Sequence, residues 1–252
     1  MPLNTMRRLT GRQRSATANR QLGCVLAFVA GAINAGGFLA IGRYTSHMTG
    51  VISSMADNLV LGQGALVLAA LAAVGAFVAG AATTALLVNF ARRRRLSSEY
   101  ALPLLFEASL LLLFGVLGAR LAAPEGGALA LTAALLCYVM GLQNAVVTKL
   151  SRAEIRTTHM TGIITDIGIE LGKLLYWNRD PGQPRVAPNR ARLSLLAALL
   201  GCFLAGGVAG ALGFKHVGYL STVPLAALLC MLAIVPAADD LARSLARLRR
   251  RS

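Results

Sequence analysis

Acidic residues are the scarcest chemical resource of this chain: ten Asp and Glu stand against 25 Lys and Arg in 252 residues. Charged residues of both signs make up only 14%, where a water-soluble domain carries about 25%. That shortage excludes an ordinary soluble globular fold. Catalytic signatures are missing as well. There is no HExxH, no GxSxG and no evident nucleophile–base pair, so the chain reads as a non-enzyme with no cofactor. The four cysteines, Cys24, Cys137, Cys202 and Cys230, form no CxxC pair and all lie in apolar runs. They read as small packing residues, not as disulfides or thiolate metal ligands. The short alternating pattern of membrane strands is absent too.

What the chain has in excess is apolar length. Hydrophobic residues make up 56% and the mean hydropathy is +0.64. Six runs, Leu22–Ile41, Ala65–Phe90, Ala101–Leu121, Ala128–Val147, Leu193–Phe214 and Val217–Val235, approach or exceed the roughly 20 residues that cross a bilayer as a helix. Lipid offers bare backbone no hydrogen-bond partner, so such runs must be helical. The N-terminus begins like a signal peptide, but its apolar stretch continues without a cleavage site and reads as a retained first membrane helix. A net charge of +15 on a soluble fold would point to nucleic acid. Here the charge lies outside the apolar runs, at Arg7, Arg8, Arg12 and Arg20, at Arg92–Arg95 and at Arg249–Arg251. That is the positive-inside pattern of a membrane protein, with a lipid bilayer as partner and no nucleic acid.

The chain also repeats itself. Gly31-Ala-Ile-Asn34-Ala35 returns as Gly141-Leu-Gln-Asn144-Ala145. Thr45-Ser-His47-Met48-Thr49-Gly50 returns as Thr157-Thr-His159-Met160-Thr161-Gly162. Gly75-Ala-Phe77-Val-Ala79-Gly80 returns as Gly201-Cys-Phe203-Leu-Ala205-Gly206. The last two blocks lie farther apart in the second copy, where 178–191 is polar, contains Pro181, Pro184 and Pro188, and reads as a loop insertion. The expected organisation is a basic tail (1–19), a first repeat (20–122), a second repeat (127–237) and a basic C-terminal tail (238–252).

Each repeat is expected to hold three long helices and one short polar helix following the His-Met-Thr-Gly block. If the short helices cross the membrane, Arg92–Arg95 falls on the side opposite the basic N-terminus. If they dip in and return, nearly all basic segments share one side, leaving Arg43, Arg120 and Lys215-His216 on the other. Charge bias favours the second arrangement. Three crossings per copy is odd, so the copies would be inverted relative to each other, as in many secondary transporters. The expected fold is therefore all-α: a polytopic helical membrane protein of two inverted repeats, with both termini cytoplasmic.

Positions i, i+7 and i+11 of a helix share a face. In the second copy they are His159, Asp166 and Glu170; in the first they are His47, Ser54 and Asn58, with Asp57 one position round. Either these stripes line a shared central cavity or they face water at the interface; ionisable groups at membrane depth usually face an interior. Thr45, Ser46, Thr157 and Thr158 read as helix N-caps, Gly50 and Gly162 as points of close approach, and the two helix starts as attractors of an anion. Thr49 and Thr161 join the candidate site. Asn34 and Asn144 either fix helix packing or mark partly unwound helix that contributes to the site. Glu107, inside a span and without an acidic counterpart, is a candidate proton carrier. A metal held by His47, His159, Asp166 and Glu170 lacks ligand spacing, and no metal is expected.

The doubled blocks Thr45-Ser-His-Met-Thr-Gly50 and Thr157-Thr-His-Met-Thr-Gly162, set among six apolar spans, resemble the YoaK family of small bacterial inner-membrane proteins over residues 20–240. The family pattern carries Asn after the Thr-Gly pair; Val51 and Ile163 stand there in this chain. The resemblance implies a multi-pass inner-membrane protein grouped at most with permeases, and supplies no substrate. The expected function is a small-solute or ion permease with a polar site at the repeat interface. The alternative is a non-transporting membrane scaffold or sensor that binds a partner helix or lipid.

Overall fold

The computed structural model describes residues 16–96, 98–120, 127–151, 157–179 and 182–249. Most of the N-terminal tail, Glu125, the basic loop of Arg152 and Arg156, and Arg250 and Arg251 lie outside the described residues. Among those described, the chain is helical with no strand. The long helices are α1 (Ala16–Ile41), α3 (Gly64–Arg93), α4 (Ala101–Arg120), α5 (Gly127–Leu150), α7 (Arg190–Val217) and α8 (Thr222–Arg249). The short ones are α2 (Met48–Val60) and α6 (Met160–Leu175). Five helical stretches are long and apolar enough to cross a membrane. The last, Arg190–Arg243, holds both α7 and α8, divided by a 3₁₀ turn at Gly218–Ser221. Gly218 makes that break at φ 60°, a conformation glycine adopts without strain.

The outward surface is apolar. Leu68 and Leu86 of α3 and Leu204 of α7 are each about two-thirds exposed, a surface that suits lipid and that water penalises. Between helices in a bilayer the hydrophobic effect gives little attraction, so close backbone approach at small residues matters most. The chain meets that need at the repeated glycines. A Cβ on Gly31 would lie 2.0 Å from the Phe203 carbonyl oxygen, and one on Gly206 would lie 1.9 Å from that of Phe28. A Cβ on Gly141 would lie 2.0 Å from the Phe77 oxygen, and one on Gly80 would lie 2.0 Å from that of Tyr138. The contacts are reciprocal: α1 packs on α7, and α3 on α5, through the same positions of the repeated blocks.

Contact order along each pair fixes direction. Phe28, Ala32 and Gly36 of α1 meet Gly206, Gly210 and Phe214 of α7 in turn, so these helices are parallel. Helices α3 and α5 are parallel too: Phe77 meets Gly141, Thr84 Oγ1 donates to the Leu142 carbonyl at 2.9 Å, and their C-terminal ends meet through Tyr100. There Arg92 Nη2 donates to the Tyr100 hydroxyl at 3.0 Å, which donates in turn to the Lys149 carbonyl at 3.3 Å. The third helices, α4 and α8, are antiparallel. Gly115 and Gly118 lie against Thr222 and Tyr219 at one end, while the Ser98 amide donates to Asp240 Oδ2 at 2.7 Å at the other. Arg92 pairs with the buried Glu99, and Asp240 with Arg243 at 3.1 Å, so one end of the bundle is stitched by ion pairs.

Replacing a close-contact glycine should separate two backbones, whereas Gly75 and Gly201, the first glycines of the repeated Gly-x-Phe-x-Ala-Gly blocks, have nothing within 4 Å. Gly31→Ala and Gly141→Ala should each lower stability by about 1–3 kcal/mol, and Gly75→Ala and Gly201→Ala by less than about 0.5 kcal/mol. Thermal unfolding in detergent, followed with a thiol-reactive dye, checks this; equal effects at all four positions would defeat the close-approach account.

Candidate functional site

Neither short helix is long enough to span a membrane. At 1.5 Å per residue the 13 residues of α2 and 16 of α6 reach about 20 and 24 Å, against roughly 30 Å of hydrocarbon. Instead the chain doubles back. After α1 ends at Ile41, Gly42 turns at φ 70°, and the Ser46 hydroxyl donates to Asn34 Oδ1 at 2.8 Å. That places the start of α2 about 10 Å back along α1. The second copy repeats the bond: the Thr158 hydroxyl donates to Asn144 Oδ1 at 2.5 Å, and Asn144 Nδ2 donates to the Met140 carbonyl at 2.8 Å. Both asparagines thus tie short helices to long ones, and α1 and α5 run through them as continuous helix.

The expected caps are corrected at this point. His47 and His159 occupy the N-cap positions, and neither gives a side-chain capping hydrogen bond. Ser46 and Thr158 are spent on the asparagines, while Thr45 and Thr157 are buried with hydroxyls that have no partner among the described residues. The histidine rings lie over the first helical turn. A Cβ on Gly50 would fall 2.2 Å from His47 Cδ2, and one on Gly162 would fall 2.3 Å from His159 Nδ1. The spacing of His-Met-Thr-Gly is explained by this: glycine at the third helical position makes room for the ring three residues before it. Gly50 and Gly162 are approached by their own histidines and not by another helix.

The first-copy stripe faces a cavity of about 520 Å³ bounded by α2, the N-terminal half of α3 and the N-terminal half of α5. His47, Gly50, Ser54 and Asn58 line it along α2; Arg43, Tyr44 and Thr45 close one end; Leu66, the Ala69–Ala73 region, Leu129 and Cys137 form an apolar wall. Tyr44 stacks on Phe38 at 4.5 Å. The second-copy stripe is occupied differently. Asp166 Oδ2 accepts from Arg192 Nη2 at 2.9 Å. Glu170 Oε1 accepts from Lys173 Nζ at 2.8 Å, and its Oε2 accepts from the Asn189 amide at 2.6 Å. Asn189 also caps α7, its Oδ1 accepting from the Arg192 amide at 3.0 Å.

The structure thus brings His47 together with Ser54 and Asn58 in the cavity, and Asp166 together with Glu170 at the start of α7, but α6 contributes no residue to that cavity. The four residues weighed as a metal set are split between α2 and α6. Asp57 and Thr49 are exposed and lie off the cavity wall; Thr161 is exposed, its carbonyl accepting from Thr165 at 2.9 Å. Asn34 and Asn144 stand behind the short helices. Glu107 is fully buried in α4, and neither of its oxygens has a hydrogen-bond partner among the described residues. The sequence reading passed over Arg43 and Arg192 as site residues. Arg43 carried a signal, being the only Lys or Arg between Arg20 and Arg92.

The Lys173 ammonium, and after it the Asn189 amide, hold the Glu170 carboxyl below the usual carboxylate range. A carboxyl whose pKa falls on folding stabilises the fold above its unfolded value of about 4.3, and that contribution is lost as pH drops through the lower folded value. Acidification below about pH 4.3 should therefore cost the wild type more thermal stability than it costs Glu170→Gln. Parallel melting curves for the two proteins across that range would contradict the α6–α7 tie.

Compared with known families, residues 22–235 match the family described as "Protein of unknown function (DUF1275)". The resemblance to YoaK proteins is consistent with that match. No curated protein and no solved structure matches the chain. The family match takes in both His-Met-Thr-Gly blocks and reaches all six long helices; on that extent, the chain belongs to the DUF1275 family of proteins of unknown function.

Proposed function

We propose that this protein is a small-solute permease of a bacterial inner membrane, working by alternating access between two inverted copies. The observation that carries the reading is an asymmetry between corresponding places. The repeated blocks align Ser54 with Asp166 and Leu66 with Arg192. In the first copy Ser54 and Leu66 line an open cavity; in the second, Asp166 and Arg192 are joined by an ion pair, with Glu170 bonded to the Asn189 amide beside it. One site is open where its counterpart is latched. The directions of the long helices support the inversion: α1, α4 and α7 run toward the cavity end, and α3, α5 and α8 run away from it, so each helix of the first copy opposes its equivalent.

On this reading the ion-paired end, which carries Arg92–Arg95, is cytoplasmic by the positive-inside rule. Both termini then lie in the cytoplasm. The cavity opens away from the cytoplasm, and the latch closes the cytoplasmic half. Rocking one copy against the other around the glycine contacts would exchange the two conditions. Glu107, an unpaired acid in the core, is the group placed to couple this exchange to a proton. No catalytic chemistry is proposed.

Two experiments test the reading. Purified protein in liposomes should move at least one class from a panel of small cationic, anionic and neutral solutes faster than empty liposomes, and His159→Ala and Asp166→Asn should slow it. Absence of flux across the whole panel would leave the membrane scaffold or sensor as the better account. In protein without its native cysteines, Ser54→Cys should react with a water-soluble thiol reagent. Opening the latch with Arg192→Gln and Glu170→Gln together should slow that reaction severalfold by populating the opposite state; an unchanged rate would remove the alternating element.

A further inference from the structure

We propose that the cavity beside α2 binds a small organic monoanion with a short apolar chain. The inference rests on the permease reading only for the ligand's movement, not for its binding. Two observations point to negative charge and a third to a missing hydrogen-bond partner. Among the described residues the lining contains Arg43 and His47 and no Asp or Glu. The 13-residue helix α2 starts beside the end of the cavity that Arg43 and Thr45 line, and its N-cap His47 gives no side-chain capping bond, which leaves first-turn amides and the positive end of the helix dipole near that end. Thr45, which also lines the cavity, is only 1% exposed, and its hydroxyl has no partner among the described residues. An unbonded buried hydroxyl is rare and calls for an explanation, and a bound ligand that accepts from it is one. Leu66, Leu129 and the alanines of α3 and α5 offer an apolar wall. The volume, about 520 Å³, is that of a small-molecule site.

The arrangement divides a ligand in two. A carboxylate or sulfonate head would take hydrogen bonds from Arg43, the Thr45 hydroxyl and the α2 amides, while a short chain lies along the alanine-rich face of α3. A cation would meet Arg43 and the helix dipole with no counter-charge. A neutral alcohol would gain the wall but not the charge-assisted bonds.

The test uses three probes with one chain: hexanesulfonate, hexyltrimethylammonium and hexanol. Binding is measured by calorimetry on the protein in nanodiscs of neutral lipid and in nanodiscs containing phosphatidylglycerol. Hexanesulfonate should bind at least about tenfold more tightly than either other probe. Arg43→Gln should weaken it about tenfold and Thr45→Val several-fold, while Asp57→Asn, off the wall, should leave it unchanged. Equal or tighter binding of the cation, no binding of any probe, or an affinity indifferent to Arg43→Gln would overturn the proposal. So would loss of hexanesulfonate binding in phosphatidylglycerol discs, which would assign the site to a lipid headgroup. Flux of the same probes and of the solute panel into liposomes separates the two claims: bound hexanesulfonate with no flux of any solute leaves the anion site standing and removes the permease, whereas movement of the cation alone does the reverse.

Discussion

Backbone-to-backbone contact at five glycines, Gly31, Gly80, Gly141, Gly206 and Gly210, is the constraint on which the remaining architecture depends. In lipid, two apolar helices gain little by meeting unless their backbones come close enough for dispersion and weak Cα–H···O contacts to add up. Gly31, Gly206 and Gly210 provide that approach between α1 and α7, and Gly80 and Gly141 provide it between α3 and α5. Each pair joins the first long helix of one repeated segment to the second long helix of the other. Each short helix packs chiefly on the second long helix of its own segment, α2 on α3 and α6 on α7. Because α3 is held against α5, the α2 cavity has α5 as one of its walls.

The sequence disclosed some of this because the physical constraint itself was written twice. Apolar length identified all six long helices, and the duplicated Gly-x-Phe-x-Ala-Gly block showed the repeat; which of its glycines meet a neighbouring backbone, Gly80 and Gly206 and not Gly75 or Gly201, is visible only in the fold. The stripe of His47, Ser54 and Asn58 followed from helical period alone and lines one cavity as that period requires. Other features were not legible. The local pattern favoured Thr45 and Ser46 as caps, but Asn34, twelve residues away, takes the Ser46 hydroxyl, and no local propensity reports a bond of that range. The α3 and α5 walls are alanine and leucine, indistinguishable in sequence from lipid-facing surface.

The two copies have diverged where divergence has the greatest consequence. Their packing glycines, asparagine ties and His-over-Gly turns are the same, so both short helices are set in the same way. The differences fall on the outer half of each short helix. Ser54 and Asn58 are neutral and leave a space open, whereas Asp166 and Glu170 are charged and find Arg192, Lys173 and the Asn189 amide. The Asp166–Arg192 pair is itself partly exposed, and pairs of that kind contribute only a few tenths to about 1 kcal/mol. On the permease reading, a closure of that strength biases the resting state and can be released by a ligand.

Polar groups left without partners complete the argument. Thr45 and Thr157, at corresponding positions, are both buried with hydroxyls unbonded among the described residues, and Glu107 and Gln143 are fully buried in the core in the same condition. A buried polar group without a bond costs about 1–3 kcal/mol, and a structure built to occupy a single state would be expected to replace such groups with apolar ones. The two threonines stand at the starts of the short helices, and Glu107 and Gln143 lie on α4 and α5, helices that connect the two segments. On the permease reading these are the groups whose partners arrive from elsewhere: a ligand at Thr45, its counterpart at Thr157 when the latched half opens, and a proton at Glu107. The cost carried by the resting state is then what ligand binding and helix movement relieve.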